Sequence, residues 1–469
     1  LTRTEVARAT KSETALQNAP RLLPTAVAAL LTRGVLLPVA LLQGALLARG
    51  LGPAGLGEYT AALVDVNLLV ALLSFGLPGG LAIVASEARG QPSGDPRIDS
   101  LRRLSLRHGL AIAAALLLVA PLYGYLGPRL ALPPRPTLVL ALISGLVLLQ
   151  FARDVHNALL WGGQRFSAQN RINLTVQLVL AALLLLLWSQ GWLQPVTALG
   201  LQICAHGLWI VAARLAAAAS ATAATPPGID PAPPSQPAQG AADNGPARAR
   251  ALGLRSYVGV LLDLLLLRID IYLIEKLVPA AVMAHELGLY QAGVRVAELV
   301  LFVPSTLNAV LFAKAAAREN MAAATLRAAK LSLWLGLLAL VAMWLVGQPL
   351  LVLFFGARFA GSFAPCLWVL LGCVLTCFAS PLAGTLSGEH GYPRGVLLAQ
   401  LFALLGNVVA NLYLLPRYGI VGAAMASALA YALSAVLITV AFARRYGVAP
   451  SAVLAPELPW RLWRALRAS

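Results

Sequence analysis

Apolar residues run through this chain in long, unbroken stretches. They show neither the alternation of a half-buried strand nor the narrow stripe of a surface helix. "LVLALISGLVLLQF" (Leu138–Phe151), "VQLVLAALLLLLW" (Val176–Trp188) and "LSLWLGLLALVAMWLV" (Leu331–Val346) are three examples. With their flanks they reach the roughly 20 residues a helix needs to cross about 30 Å of hydrocarbon. The pattern predicts about twelve spans, beginning near Leu23, Gly57, Leu106, Thr137, Asn170, Val196, Ser256, Leu287, Ala328, Ala364, Gly395 and Ile420. "GLPGG" (Gly76–Gly80) is expected to kink the second span, and Pro304 the eighth. A barrel is excluded, because its strands would alternate. The expectation is an all-α integral membrane protein.

Composition agrees. Of 469 residues, 59% are hydrophobic and only 11% charged, against about 25% charged in a soluble domain. The net charge of +17 is a matter of topology. With a cytoplasmic N-terminus, 25 of the 35 Lys and Arg residues fall in inside segments and 6 outside, the remaining 4 lying within spans. This is the positive-inside asymmetry. It directs the basic loops toward anionic membrane lipids and requires no nucleic acid. Residues 1–21 are polar, and the apolar run after them is longer than a cleaved signal core. Cys366, Cys373 and Cys377 share one helical face without histidine or carboxylate support, so they read as small packing residues, not as metal ligands.

One connection is long. Ser220–Arg250 is rich in Ala and Pro, and its composition predicts a disordered cytoplasmic linker. The expected organisation is a cytoplasmic segment (1–22), a first lobe of six spans (23–218), the linker (219–250), a second six-span lobe (251–445) and a basic tail (446–469). In that tail, "LPWRLWRALRAS" suits a short helix lying on the membrane surface. The halves also repeat: "LGEYTAALVDVNLLV" (Leu56–Val70) and "LGLYQAGVRVAELVL" (Leu287–Leu301) share Leu-Gly-x-Tyr-x-Ala, about 231 residues apart. Six spans per half make such a repeat parallel, with its axis along the membrane normal.

Three blocks together resemble one known family: "LARGLGPAGLGEY" (Leu47–Tyr59), "LRIDIYLIEKLV" with "ELGLYQAG" (Leu267–Gly293) and "LYLLPRYGIVGAAMASALA" (Leu412–Ala430). In order and spacing they are similar to the polysaccharide and oligosaccharide flippases. That family belongs to the superfamily of multidrug extruders and lipid II flippases. The resemblance implies two six-helix lobes flanking a central cavity that opens alternately to each side. It implies as substrate a lipid-linked oligosaccharide of the undecaprenyl-diphosphate type, for cell-surface polysaccharide biosynthesis at the cytoplasmic membrane, with glycosyltransferases and a polymerase as functional neighbours. The shared glycines Gly52, Gly55, Gly57 and Gly422 read as structural, suited to tight turns and close helix contact.

Ionisable residues within spans point to function by default. Here they are Arg33, Asp65, Arg153, Asp154, Asp263, Arg268, Asp270, Arg295 and Glu298. Guanidinium groups bind phosphate bidentately and stay charged, so Arg33, Arg268 and Arg295 are candidate substrate ligands, with Asn407 and Asn411 for sugar hydroxyls. Asp65, Asp263, Asp270 and Glu298 are candidate sites for a coupling H+ or Na+. The alternative for all of them is pairing inside the bundle, and Arg295 with Glu298 has the i, i+3 spacing of such a pair. Gln291, Arg295, Glu298 and Ser305 form one polar stripe along the eighth span, and Asn67 aligns with Glu298 across the repeat. His156 and His206 read as hydrogen-bonding residues, not proton relays.

No Gly-x-x-x-x-Gly-Lys-Ser/Thr occurs, so no nucleotide cofactor drives the protein. A cation-coupled multidrug extruder on the same scaffold is the nearest alternative. A polytopic glycan polymerase or ligase would need a large outer loop, whereas connections such as "SQGWLQP" (Ser189–Pro195) are short. The chain therefore reads as a transporter, not an enzyme.

Overall fold

A computed structural model of the chain describes residues 22–87, 96–127, 136–163, 165–222, 245–302, 321–390 and 394–449, and the single positions 129, 304 and 453. The linker centre, the basic tail and Ser305 lie outside the described residues. So does the side chain of Arg33.

Among the described residues every regular element is helical. The first lobe consists of α1 (Leu22–Ser74), α2 (Leu77–Glu87), α3 (Pro96–Leu126), α4 (Thr137–Gly162), α5 (Phe166–Ser189) and α6 (Pro195–Thr222). The second consists of α7 (Gly245–Leu277), α8 (Ala280–Glu298), α9 (Met321–Phe355), α10 (Phe363–His390) and α11 (Arg394–Tyr446). Helices α1 and α11 each run for 53 residues, about 80 Å at 1.5 Å per residue and more than twice a bilayer core. Each is divided by one glycine with positive φ, Gly52 (66°) and Gly419 (58°), where an L side chain would be strained. In α11 the halves fold back on each other: a Cβ on Gly406 would meet Leu433 at 3.3 Å, and one on Gly395 would meet Ala441 at 3.2 Å. Counting both halves of α1 and α11, and α2 as the continuation of α1, the chain makes six spans in each lobe.

Eight of these helices are long and apolar enough to cross a membrane by composition alone. Helices α7 and α8 are not among them. Asp263, Arg268 and Asp270 interrupt the first, and His285, Glu286, Arg295 and Glu298 the second. The two spans too polar to pass as membrane segments are thus those that carry most of the candidate site.

The lobes meet most closely where the sequence repeats. A Cβ on Gly57 would overlap the Ala284 carbonyl, and one on Gly288 would overlap the Pro53 carbonyl. Positions 53 and 284 have the same offset as 57 and 288, so the contact is reciprocal, as a two-fold axis between the lobes requires. Near it, the Arg49 guanidinium donates to the carbonyls of Leu353 and Phe354 at the end of α9. We refer to this side as the Gly52 end. A single apolar core joins the lobes, with Tyr59 and Tyr290 both fully buried. A satellite core lies under α4–α6 around Trp209 and another under α9–α11 around Phe442. Cys366, Cys373 and Cys377 are buried packing residues of α10.

Candidate functional site: an intramembrane charge cluster between the lobes

Helices α7 and α8 place three charges together. Arg268 grips Glu298 with both arms of its guanidinium: Nη1 donates to Oε1 at 2.8 Å and Nη2 to Oε2 at 3.1 Å. Both side chains are about three-quarters buried, at 25% and 23% exposure, where a bidentate pair is worth far more than at the surface. The i, i+3 spacing had offered Glu298 to Arg295. The structure gives it to the neighbouring helix instead.

Glu298 therefore acts on Arg295 only at a distance, without a hydrogen bond or ion pair. Among the described residues, no hydrogen bond or ion pair engages its guanidinium. Its nearest notable neighbour is the Tyr59 ring of the first lobe, 6.0 Å from the guanidinium carbon and at the outer edge of cation–π range. Tyr59 is fixed by complete burial and by Gln202 of α6, whose Nε2 donates to its hydroxyl at 2.8 Å. A charged side chain of the second lobe thus faces the first lobe with its donors unused among the described residues. Such a group is suited to hold an anion.

The acids take a different place. Asp270 is almost fully buried and accepts from the Tyr290 hydroxyl, from Ser427 Oγ at 3.2 Å and from the Ile271 N–H at 2.9 Å. One heptad earlier on α7, Asp263 accepts from Gln400 Nε2 of α11. Asn407 follows Gln400 by the same seven residues. The fold-back of α11 sets Ser427 opposite the stretch around Asn407 and Asn411, so Asn407 stands level with Asp270. Both asparagines are completely buried, and Asn411 Nδ2 donates to Asn407 Oδ1 at 2.6 Å. Asn407 Nδ2 and Asn411 Oδ1 keep no partner. The asparagine pair is thus fully enclosed and bonded within α11.

In the first lobe the polar side chains pair differently, as amides between helices. Gln43 donates to Gln177 at 2.9 Å, and Gln150 donates to Asn67 at 3.0 Å. Asp65 is half-buried and engaged, not free. Arg153 meets His206 Nδ1 at 3.4 Å, and Arg214 donates to His156 Nε2 at 3.3 Å. The histidines therefore serve as hydrogen-bonding partners in the described structure. Tyr59, Gln202 and Gln400 are site residues that charge alone does not reveal. A glutamine inside an apolar run, as at Gln43, Gln150, Gln177, Gln202, Gln291 and Gln400, was the available signal.

Neither a protein-family model nor a curated protein matches the chain. Solved structures do match its fold. A lipid II flippase, MurJ, in an inward closed conformation aligns with a TM-score of 0.62 at 13% identity, covering 94% of this chain and 91% of that one. A P26A mutant of a MATE transporter aligns at 0.62 and 17% identity, covering 91% and 95%. A transporter of the MOP superfamily from Pyrococcus furiosus aligns at 0.60 and 16% identity, again covering 91% and 95%. The chain has the two-lobed transporter fold of these proteins over almost its whole length.

Proposed function

We propose that this protein is a flippase that moves a lipid-linked oligosaccharide of the undecaprenyl-diphosphate type outward across the cytoplasmic membrane by alternating access. The observation that carries this reading is Arg295. It is a permanently charged fork facing the first lobe with no ion pair among the described residues, while its neighbour Arg268 takes both oxygens of Glu298. A bare guanidinium within a membrane bundle is costly. A substrate bearing a diphosphate between a glycan and an apolar tail would complete it. Arg295 is assigned the phosphate contact. Arg268 is a positioning residue that draws Glu298 away from Arg295. Asn67, Gln150 and Gln202 in the first lobe suit sugar hydroxyls better than the enclosed Asn407 and Asn411 do.

The coupling role falls to the Asp270 group. The Asp270 carboxylate and the Ser427 hydroxyl beside it supply hard oxygen donors of the kind a monovalent cation prefers. That same group favours the second reading, cation-coupled extrusion of a drug. Surface glycan restored to a flippase-null strain supports the first reading, provided that Arg295→Ala abolishes restoration at unchanged protein level. Restored drug tolerance without restored glycan would favour the second.

A further inference from the structure

We propose that the interruption of the second span at Phe75–Gly76 is a latch between the lobes, closed in this structure and released when that end of the protein opens. Helix α1 stops at Ser74 and α2 begins at Leu77. The two residues between them have positive φ, 45° at Phe75 and 68° at Gly76. A glycine adopts this conformation freely, whereas a phenylalanine is held there only by its surroundings.

Those surroundings come from both lobes. The break deprives the last carbonyls of α1 of their helical donors. Two of them are capped by side chains from other helices. His108 Nε2 of α3 meets the Leu73 carbonyl at 2.8 Å, and the Tyr257 hydroxyl of α7 donates to the Leu72 carbonyl at 3.3 Å. The Phe75 ring packs edge-on to His108 at 6.0 Å and against Tyr257 at 5.8 Å. Beneath them the backbones touch: a Cβ on Gly253 of α7 would stand 2.6 Å from the Gly76 oxygen, and one on Gly76 would overlap the Gly253 carbonyl. His108 belongs to the first lobe and stays with the break. Tyr257 and Gly253 belong to the second and would leave with it.

The two ends of the interface are built unequally. At the Gly52 end the contact is reciprocal between regular helices and is reinforced by Arg49. At the Gly76 end α7 packs along α2 and α3, and the specific contacts at the break, among the described residues, are one hydroxyl bond, one glycine pair and one ring held by a strained residue. Parting the lobes here gives up the Tyr257 hydrogen bond and the packing of α7 on α2, and lets Phe75 relax. The basic loops assign this end to the cytoplasm, so its release would admit substrate. The latch takes that purpose from the proposed alternating access, but its mechanics require no substrate.

The test uses the full chain with its four cysteines replaced, spin-labelled at Ser86 on α2 and Leu254 on α7, both exposed at this end. Tyr257→Phe is expected to raise the ratio of long to short inter-label distances about fivefold, the equilibrium equivalent of one hydrogen bond. Gly253→Ala is expected to raise it further, and Gly57→Ala at the opposite end to leave it unchanged. If Gly253→Ala fails to insert, Tyr257→Phe decides alone. An unchanged distribution in Tyr257→Phe, or equal widening in Gly57→Ala, overturns the latch. Failure of the flippase reading would appear elsewhere, as glycan export that survives Arg295→Ala while the label distances behave as stated.

Discussion

Two arginines of the second lobe differ in one respect that decides what each does: among the described residues Arg268 is ion-paired and Arg295 is not. Removing one partner of a buried pair strands the other, at a cost of about 3–5 kcal/mol. Arg268→Ala should therefore reduce the amount of inserted protein, and adding Glu298→Gln should restore it. Arg295→Ala should leave insertion intact and abolish glycan export, with Arg295→Lys recovering part of it for lack of the planar fork. Membrane protein level and surface glycan, measured on the same cells, separate these outcomes; an Arg295→Ala strain that exports normally would end the phosphate assignment. The tyrosines of the repeat offer a second comparison. Tyr290 donates to a buried carboxylate and Tyr59 receives a neutral amide. Tyr290→Phe should thus cost about 1.5–3 kcal/mol and Tyr59→Phe about 0.5–1.5, read as a larger drop in thermal stability for the former. The sequence marked Arg268, Arg295 and Glu298 because charge is rare in spans. It could not assign partners, since the acid three residues away on one helix competes with an arginine on the next, and only interhelical distance chooses.

At the scale of the element, glycine sorts by what a Cβ would meet. Gly57 and Gly288 face carbonyls across the lobe interface, whereas Gly200 and Gly207, both on α6, have nothing within 4 Å. Gly57→Ala and Gly288→Ala should each lower stability strongly and to a similar extent, because the contact is reciprocal. Gly200→Ala and Gly207→Ala should be neutral or stabilising by up to about 1 kcal/mol, as expected for a helix interior. Detergent-solubilised melting temperatures check both; a tolerated Gly57→Ala would mean that the lobes pack more loosely than described. Most of this was legible beforehand. Leu-Gly-x-Tyr-x-Ala in both halves announced the repeat, and "GLPGG" announced a break in the second span. The break falls at Phe75–Gly76, ahead of the proline, and a phenylalanine there could not be foreseen. Its conformation is imposed by Tyr257 and His108 from distant parts of the chain. The enclosure of Asn407 and Asn411 was hidden for the same reason: a helical stripe gives a face, and the partner of that face comes from the fold-back of α11.

For the whole molecule, orientation is the property on which the rest of the mechanism depends. The fold has an approximate two-fold axis along the membrane normal, so the helices alone do not say which end faces the cytoplasm. Charge does. Arg102, Arg103 and Arg107 on α3, Arg165 and Arg171 around the start of α5, and Arg444 and Arg445 at the end of α11 all lie toward the Gly76 end. At the Gly52 end, Arg49 caps the carbonyls of α9 and Arg417 the Tyr413 carbonyl, so two of the few basic residues there are committed to the fold. Juxtamembrane Lys and Arg resist translocation and are drawn to an anionic leaflet. The Gly76 end, with the linker and the tail, should then be cytoplasmic. Fusions at Gly240 and Ala468 should be active with a reporter that works only in the cytoplasm and silent with one that works only outside. The opposite result at both positions would invert the molecule. The latch would then guard the outer face, and transport, if it occurs, would need a substrate that enters from outside.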